Sequence, residues 1–305
     1  MSVLEGKVAI VTGAANGLGR AEAIYLGSLG ARVVVSDIGA NRDGEGRSSD
    51  AAEEVVEQIK SAGGEAVSHC GDVADWNDSQ ALIKTAVDTF GDLNILVNNA
   101  GFCRDRMLFS MSEEEFDSVI RVHLKGHFCT MRFASEYWRN KSKQTGEALY
   151  GRIISTSSEA FIFGSAGQPN YAAAKAGIVA MTMGAAQALE KYGITANVIM
   201  PRARTRMTDT GPVAAIFEKP EDGFDQFDPV HVGPLVAYLA SPAASQVSGY
   251  VMIVWGNQIR MVERPNTDTI FETDGGWTTA NVEEKLGPYF AEREPIWGGF
   301  TVPPS

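Results

Sequence analysis

Short apolar runs alternate along the chain with segments of helical period. Val8-Ala9-Ile10-Val11 reads as a buried strand, and Leu18 to Leu29 as a helix closed by Gly30. Arg32-Val33-Val34-Val35-Ser36 predicts a second strand, and Ser49 to Ser61 a second helix before Gly63-Gly64. Ala66-Val67-Ser68 is a third strand, followed by a helix from about Trp76 to Phe90. Further strands fall at Ile95-Leu96-Val97, Arg152-Ile153-Ile154-Ser155 and Ala196-Asn197-Val198-Ile199. Long helical periods near Ser112–Asn140 and Tyr171–Tyr192 separate them. A helix near Val230–Ala240 and a strand near Tyr250–Trp255 close the series. Strands that are β-branched but do not alternate apolar with polar are buried on both faces. Alternating β and α of this kind predicts a doubly wound parallel α/β sheet.

The pattern changes after Pro265. Residues 1–264 read as one domain, and 265–305 as a separate extension. That extension contains Phe271, Trp277, Tyr289, Phe290, Trp297 and Phe300, too aromatic for a disordered tail. It is either a strap packed on its own subunit or a flap over the substrate cleft or a neighbouring subunit. Internal repeats and low-complexity tracts are absent.

Composition narrows the function. With 305 residues, 44% of them hydrophobic, the chain has ample core for one large domain or two small ones. A formal net charge of −12 argues against a nucleic-acid partner, which would need a basic face. No apolar run reaches the ~18 residues of a membrane span, and the N-terminus lacks the order of a signal peptide. Cys70, Cys103 and Cys129 form no C-x-x-C pair and read as reduced thiols, so a cytoplasmic location is expected. His123 and His127 stand four apart on one helix face, but no Cys, Asp or Glu completes a set, and no metal is expected.

Candidate chemistry begins directly after the first strand, where Thr12-Gly13-Ala14-Ala15-Asn16-Gly17-Leu18-Gly19 opens a helix. Glycines at a first strand–helix turn let the backbone approach a pyrophosphate, and the helix N-terminus offers unpaired N–H groups. The second strand ends at Asp37, whose carboxylate suits a ribose hydroxyl and would repel a 2′-phosphate. Neither Asn16 nor Ile38 supplies a cation for such a phosphate, so NAD is favoured over NADP. Tyr171 and Lys175 are i,i+4 and share a helix face. A nearby ammonium favours a phenolate, and hydride removal from an alcohol needs a base for the hydroxyl proton. Ser158 lies just past the fifth strand, at the carboxyl edge where such sheets bind ligands, and could hold the substrate oxygen.

The glycine turn, Asn98-Asn99-Ala100-Gly101 after the fourth strand, and Tyr171-Ala172-Ala173-Ala174-Lys175 together resemble the short-chain dehydrogenase/reductase family, from about residue 5 to 260. The resemblance implies a Rossmann-type fold. It makes Tyr171 the general acid/base, Lys175 the group that binds the nicotinamide ribose and lowers the tyrosine pKa, and Ser158 the substrate-positioning hydroxyl. It adds cofactor contacts from Gly13, Asn16, Gly17, Leu18, Gly19, Asp37, Pro201 and Thr205, with Asp72 and Val73 flanking the adenine and Asn99, Ala100 and Gly101 at the ribose. Asp72 could instead only cap the following helix. Where the family carries asparagine in an Asn-x-x-Gly segment, this chain has His123-Leu124-Lys125-Gly126. His123 could replace that residue in a proton relay, since imidazole both donates and accepts, or could simply pack.

Finer details resemble one branch, which includes the (3R)-hydroxyacyl-CoA dehydrogenase part of the peroxisomal multifunctional enzyme and bacterial relatives in fatty-acid and steroid side-chain breakdown. They are Arg104-Asp105-Arg106, Arg121 to Gly126, Gly167 to Tyr171, Thr205-Arg206-Met207-Thr208 and the loop Gly39 to Gly46. The histidine at 123 is shared by that branch. The implied reaction is NAD-dependent oxidation of a secondary alcohol, with a 3-hydroxyacyl-CoA thioester as substrate. A hydroxysteroid or other bulky alcohol is the alternative, and a non-catalytic nucleotide-binding regulator a remote one. The family's usual Pro-Gly is Pro201-Arg202 here, opening a stretch with Arg204 and Arg206. These cations either contact the cofactor pyrophosphate or carboxylates, or hold an anionic substrate group such as a phosphate of coenzyme A. Gly211–Asp228, where the family varies its substrate lid, matches nothing interpretable. Apolar residues around the two long helices, including Met131, Phe133, Met181 and Met183, fit a homodimer or homotetramer, as the family implies.

Overall fold

The computed structural model describes residues 2–40, 46–209, 214–263, 265, 267 and 269–293. In chain order its elements are β1 (Val8–Thr12), α1 (Gly17–Ser28), β2 (Arg32–Ser36), α2 (Asp50–Ser61), β3 (Glu65–His69), α3 (Trp76–Phe90) and β4 (Ile95–Asn98). Then come α4 (Glu113–Ile120), α5 (Gly126–Thr145), β5 (Gly151–Thr156), the single turn α6 (Ala160–Phe163), α7 (Pro169–Leu189) and β6 (Ile194–Pro201). The last are α8 (Gly233–Ala240), β7 (Val251–Trp255), β8 (Gln258–Val262) and α9 (Thr279–Ala291).

The strands form one sheet in the order β3-β2-β1-β4-β5-β6-β7-β8. Pairings are parallel from β3 through β7, as the buried apolar runs require. Neighbouring side chains of β1 point to opposite faces. Ala9 and Val11 enter one core with Leu26, Val55 and Leu235, while Val8 and Ile10 enter the other with Leu82, Trp138 and Leu189. Strand order reverses between β1 and β4, so the turns after these two strands diverge and leave a crevice at their carboxyl ends.

Three features depart from the sequence-based expectation. The sheet is not wholly parallel, because β8 folds back antiparallel on β7 across Gly256 and Asn257, with Trp255 paired to Gln258. Gly256 adopts φ +46°, the left-handed backbone a two-residue hairpin requires. The 112–140 period is not one helix: α4 ends in a π-helical turn over Arg121–Lys125 before α5 continues to Gly146, which stops it at φ +75°. Third, a stretch long and apolar enough to cross a membrane does exist by length and composition, at Pro169–Tyr192 with mean hydropathy 1.2. Here that helix packs on β5 and β6 and buries Ala174, Ile178 and Val179, as a core helix does.

Beyond the sheet, α9 is capped reciprocally by Thr278 and Asn281 and buries none of its residues. Trp297 and Phe300, residues 41–45 of the glycine-rich loop and residues 210–213 of the lid lie outside the described residues.

Candidate active site

The crevice is a cavity of about 210 Å3 whose lining includes Gly13, Asn16, Gly17, Leu18, Asp37, Asp72, Val73, Asn99, Ala100, Gly101 and Thr205. Eleven residues singled out from sequence for the cofactor thus share one wall-to-wall space. Gly13 and Gly17 take φ +64° and +53°, a backbone that side chains rarely adopt. Gly19 is not in the lining. It sits beneath the turn, where an added Cβ would stand 2.3 Å from Gly13 O, so its part is close packing rather than ligand contact. Thr12, which sequence reasoning passed over, ties the two turns together: its Oγ1 accepts from Asn99 N (3.0 Å) and Ala100 N (3.2 Å). Its place at the strand end, directly before the first glycine, was the available signal.

Asp37 ends the β2 side of this cavity. One of its carboxylate oxygens accepts from Ala15 N (3.0 Å) and the other from Gly39 N (2.8 Å). Asp72 does not cap α3; Asp75 does, accepting from Asn77 N and Asp78 N. The Asp72 carboxylate is held instead by Arg121 Nη2 at 2.5 Å and by Ala74 N at 2.8 Å. Val73 packs on Gly126, where a Cβ would meet it at 2.7 Å. The residues present fit a dinucleotide. At the start of α1 the Asn16 side chain makes no cap bond and no acidic residue occupies the first turn. Open N–H groups therefore face a glycine-lined cavity that ends in a carboxylate.

Ser158, Tyr171, Lys175 and Pro201 lie outside the lining of this cavity, at the carboxyl ends of β5 and β6 and on α7. Lys175 is buried; its Nζ donates to Thr156 O at 2.7 Å and stands 5.3 Å from the centre of the Tyr171 ring. Burial pulls the Lys175 ammonium down to about 7. It pushes the Tyr171 phenol above its ordinary value, while a hydrogen bond with Ser158 acts in the opposite direction. Desolvation is the largest of these effects on Tyr171. Ser158 Oγ also accepts from Ala160 N at 3.2 Å. Ser157, one residue away, is turned elsewhere and donates to Lys175 O at 2.9 Å.

His123 lies in the π-helical turn, fully buried. Its Nε2 is 2.8 Å from Phe102 O and 3.2 Å from Phe102 N, and its ring meets Tyr171 edge-on at 5.2 Å between centroids. A Cβ on Gly101 would fall 2.0 Å from the ring, so the glycine is what admits the histidine. Burial and the Lys175 charge hold His123 well below the usual imidazole range, leaving it neutral. His127 Nδ1 donates to His123 O at 2.7 Å, which ties the pair to main chain. Asn170, which the sequence reading also missed, is buried; it accepts from Tyr171 N (2.8 Å) and donates to Arg104 O (3.0 Å) and Glu115 O (2.9 Å).

The three arginines after β6 part company. Arg202 is buried in a forked pair with Glu159, at 2.5 and 2.7 Å. Arg204 is paired with Asp225, within the segment Gly211–Asp228 that sequence could not interpret. The side chains of Arg202 and Arg204 are therefore engaged by internal carboxylates. Arg206 is exposed and lines the cavity beside Met207.

A family model described as short chain dehydrogenase matches residues 7–213. The chain is 49% identical over 295 residues to hydroxyacyl-CoA dehydrogenase ChsB1 of Mycobacterium tuberculosis, covering 96% of this chain and 91% of that protein. It is 41% identical to peroxisomal multifunctional enzyme type 2 of Mus musculus, covering 80% of this chain and 31% of that longer protein. A crystal structure of a short chain dehydrogenase from Mycobacterium avium superposes with a TM-score of 0.82 at 47% identity, covering 95% of both chains.

Proposed function

This chain belongs to the short-chain dehydrogenase/reductase family, and from that premise we propose an NAD-dependent oxidation of a 3-hydroxyacyl-CoA thioester to its ketone. The observation that carries the chemistry is the grouping of Ser158, Tyr171 and Lys175 at the sheet's carboxyl edge, beside a glycine-lined cavity that ends in Asp37. The substrate class rests on the activity named for the relative that is 49% identical.

When bound, the oxidised nicotinamide supplies the acceptor for a hydride. The chain's own residues do the rest. The open N-terminus of α1 binds the pyrophosphate, and Asp37 accepts from ribose hydroxyls while repelling a 2′-phosphate. Ser158 holds the substrate oxygen and Tyr171 Oη takes its proton. Lys175, with its Nζ 5.3 Å from the centre of the Tyr171 ring, favours as an ammonium the phenolate that accepts this proton. Neutral His123 fixes the Tyr171 ring and the Phe102 main chain in register, and its second nitrogen remains for a relay.

Arg206 is the remaining arginine of the stretch to meet an anionic group of coenzyme A. The buried positions of Met131 and Phe133 mean that they do not mark a subunit contact; exposed Phe116 and Phe128 on α4 and α5 support a homodimer or homotetramer better. None of the residues of α9 is fully buried, which favours a flap over a strap for the described part of the extension. Reduced cysteines are consistent with a cytoplasmic enzyme.

The test is NADH production from a panel of (3R)- and (3S)-hydroxyacyl-CoA esters, hydroxysteroids and simple secondary alcohols, with NADP in parallel. Turnover of a hydroxyacyl-CoA ester with NAD is expected. Turnover confined to steroids or simple alcohols would discard the thioester, and a preference for NADP would discard the role given to Asp37.

A further inference from the structure

The forked pair between Glu159 and Arg202 takes no part in the chemistry above, yet Glu159 follows Ser158 directly in the chain. We propose that Glu159 and Arg202 are positioning residues that act as one unit, clamping the Ser158 turn to the ends of β6 and β7 and so setting where Ser158 Oγ meets Tyr171. The proposal rests on the dehydrogenase reading for what Ser158 does.

The clamp is fixed on its Arg202 side from three directions. Arg202 N donates to Val254 O at 3.0 Å, its guanidinium lies 4.2 Å from the centre of the Trp255 ring, and Nε and Nη2 both donate to the Glu159 carboxylate. On the other side, the Glu159 main-chain O accepts from Ile162 N (2.9 Å) and Phe163 N (3.2 Å), so the backbone that carries the carboxylate is joined to α6. Phe161 of the same turn packs on the core formed by Val198, Phe217 and Trp255. Before the serine, Ser157 N donates to Ile199 O at 2.8 Å. Ser158 is therefore held between two attachments to the β6–β7 end of the sheet, whereas Tyr171 arrives separately on α7.

Electrostatics argue that this pair is about geometry. Both side chains are buried, and taking two charges out of water costs enough that an apolar pair of similar volume is often as stable. What a guanidinium–carboxylate fork supplies, and an apolar pair does not, is a fixed planar angle between the two backbones. A misplacement of an ångström at a reacting group is enough to cost catalysis heavily.

The experiment compares E159Q, R202K and the double variant E159M/R202M with the wild type. It reads thermal midpoint, NAD affinity from tryptophan fluorescence, kcat and KM, and crystal structures of wild type and double variant. E159Q strands a buried guanidinium and is expected to lower the thermal midpoint, whereas the double variant recovers it. The proposal predicts that R202K and the double variant still lose about tenfold or more in kcat while NAD affinity stays within about twofold. It also predicts a longer Ser158 Oγ to Tyr171 Oη separation in the double variant. Full kcat in R202K, or an unchanged separation, would overturn it, and so would parallel losses of kcat and NAD affinity. A wild-type protein silent on every substrate would count against the dehydrogenase reading instead, and the crystallographic comparison would still decide the clamp.

Discussion

The end of the cleft proposed for adenosine and the end proposed for substrate are made of different material. At the adenosine end the shape comes from backbone: Gly13 and Gly17 in left-handed conformations, Gly19 pressed against Gly13 O, and Thr12 pinning the β4 turn through two main-chain N–H groups. At the other end, beyond β5 and β6, the main chain is tied together by side-chain pairs, Glu159 with Arg202 and Arg204 with Asp225. A wall of backbone can serve one ligand on many frames, because glycine turns look alike wherever they occur. A wall of ion pairs is particular to its own sequence. The glycine-lined cavity draws mainly on the first half of the chain, with Thr205, Arg206 and Met207 added from the second.

Tyr171, the proposed general acid/base, is the position whose loss separates the two ends most sharply. Tyr171→Phe is expected to lower kcat by roughly 10²–10⁴-fold, the usual share of a general acid/base, while NAD binds as before by fluorescence titration. Weakened NAD binding of the same size would place the tyrosine in the cofactor wall instead.

Next in size is a stability effect confined to the backbone-built half. Glu22 on α1 is fully buried, without a hydrogen-bond partner among the described residues, and burial pushes its carboxyl up to about 8. The unfolded chain ionises this group from pH 4.5 upward while the folded chain keeps it protonated, so its presence costs stability increasingly as pH rises to about 8. Glu22→Gln is expected to stabilise by on the order of 4 kcal/mol above pH 8 and by little near pH 4, read from urea unfolding at both. A gain independent of pH would contradict the assignment.

Gly19→Ala probes the tight packing directly. The added Cβ would stand 2.3 Å from Gly13 O and 2.6 Å from Asn99 Nδ2, so the turn must shift. Overpacking of this kind costs about 1–3 kcal/mol, and NAD affinity should fall with the thermal midpoint while selectivity among alcohols is unchanged. The smallest effect belongs to the exposed wall. Arg206→Ala is expected to raise KM about fivefold for a CoA ester and to spare an uncharged alcohol, since one exposed cation contributes about 1 kcal/mol. Equal changes on both substrates would remove Arg206 from recognition.

The same division explains what the sequence disclosed. The strands of the sheet's parallel part were legible because runs such as Val8–Val11 and Val33–Val35 can only be buried on both faces. The glycine-lined cavity was legible because its glycines and Asp37 sit at fixed offsets from β1 and β2. The proximity of Ser158, Tyr171 and Lys175 was legible from the spacing of Tyr171 and Lys175 and the strand end before Ser158. What stayed hidden depends on contacts between residues far apart in the chain: Glu159 with Arg202 across 43 positions, Asn170 with Arg104 across 66, and His123 with Gly101 and Phe102. No period or spacing announces such pairs. The hairpin to β8 was missed differently, since its Gly-Asn turn was visible but the strand after it is mostly exposed and lacks an apolar run.

The most direct measurement follows a label. A (3R)-3-hydroxyacyl-CoA carrying deuterium on C3 is incubated with NAD and the protein, and the reduced cofactor is recovered and analysed by mass spectrometry. Direct hydride transfer predicts one deuterium in NADH from the wild type, and from Tyr171→Phe the same labelled NADH formed at least about a hundredfold more slowly. Ketone formed with unlabelled NADH, or labelled NADH formed equally fast by the variant, would contradict the account.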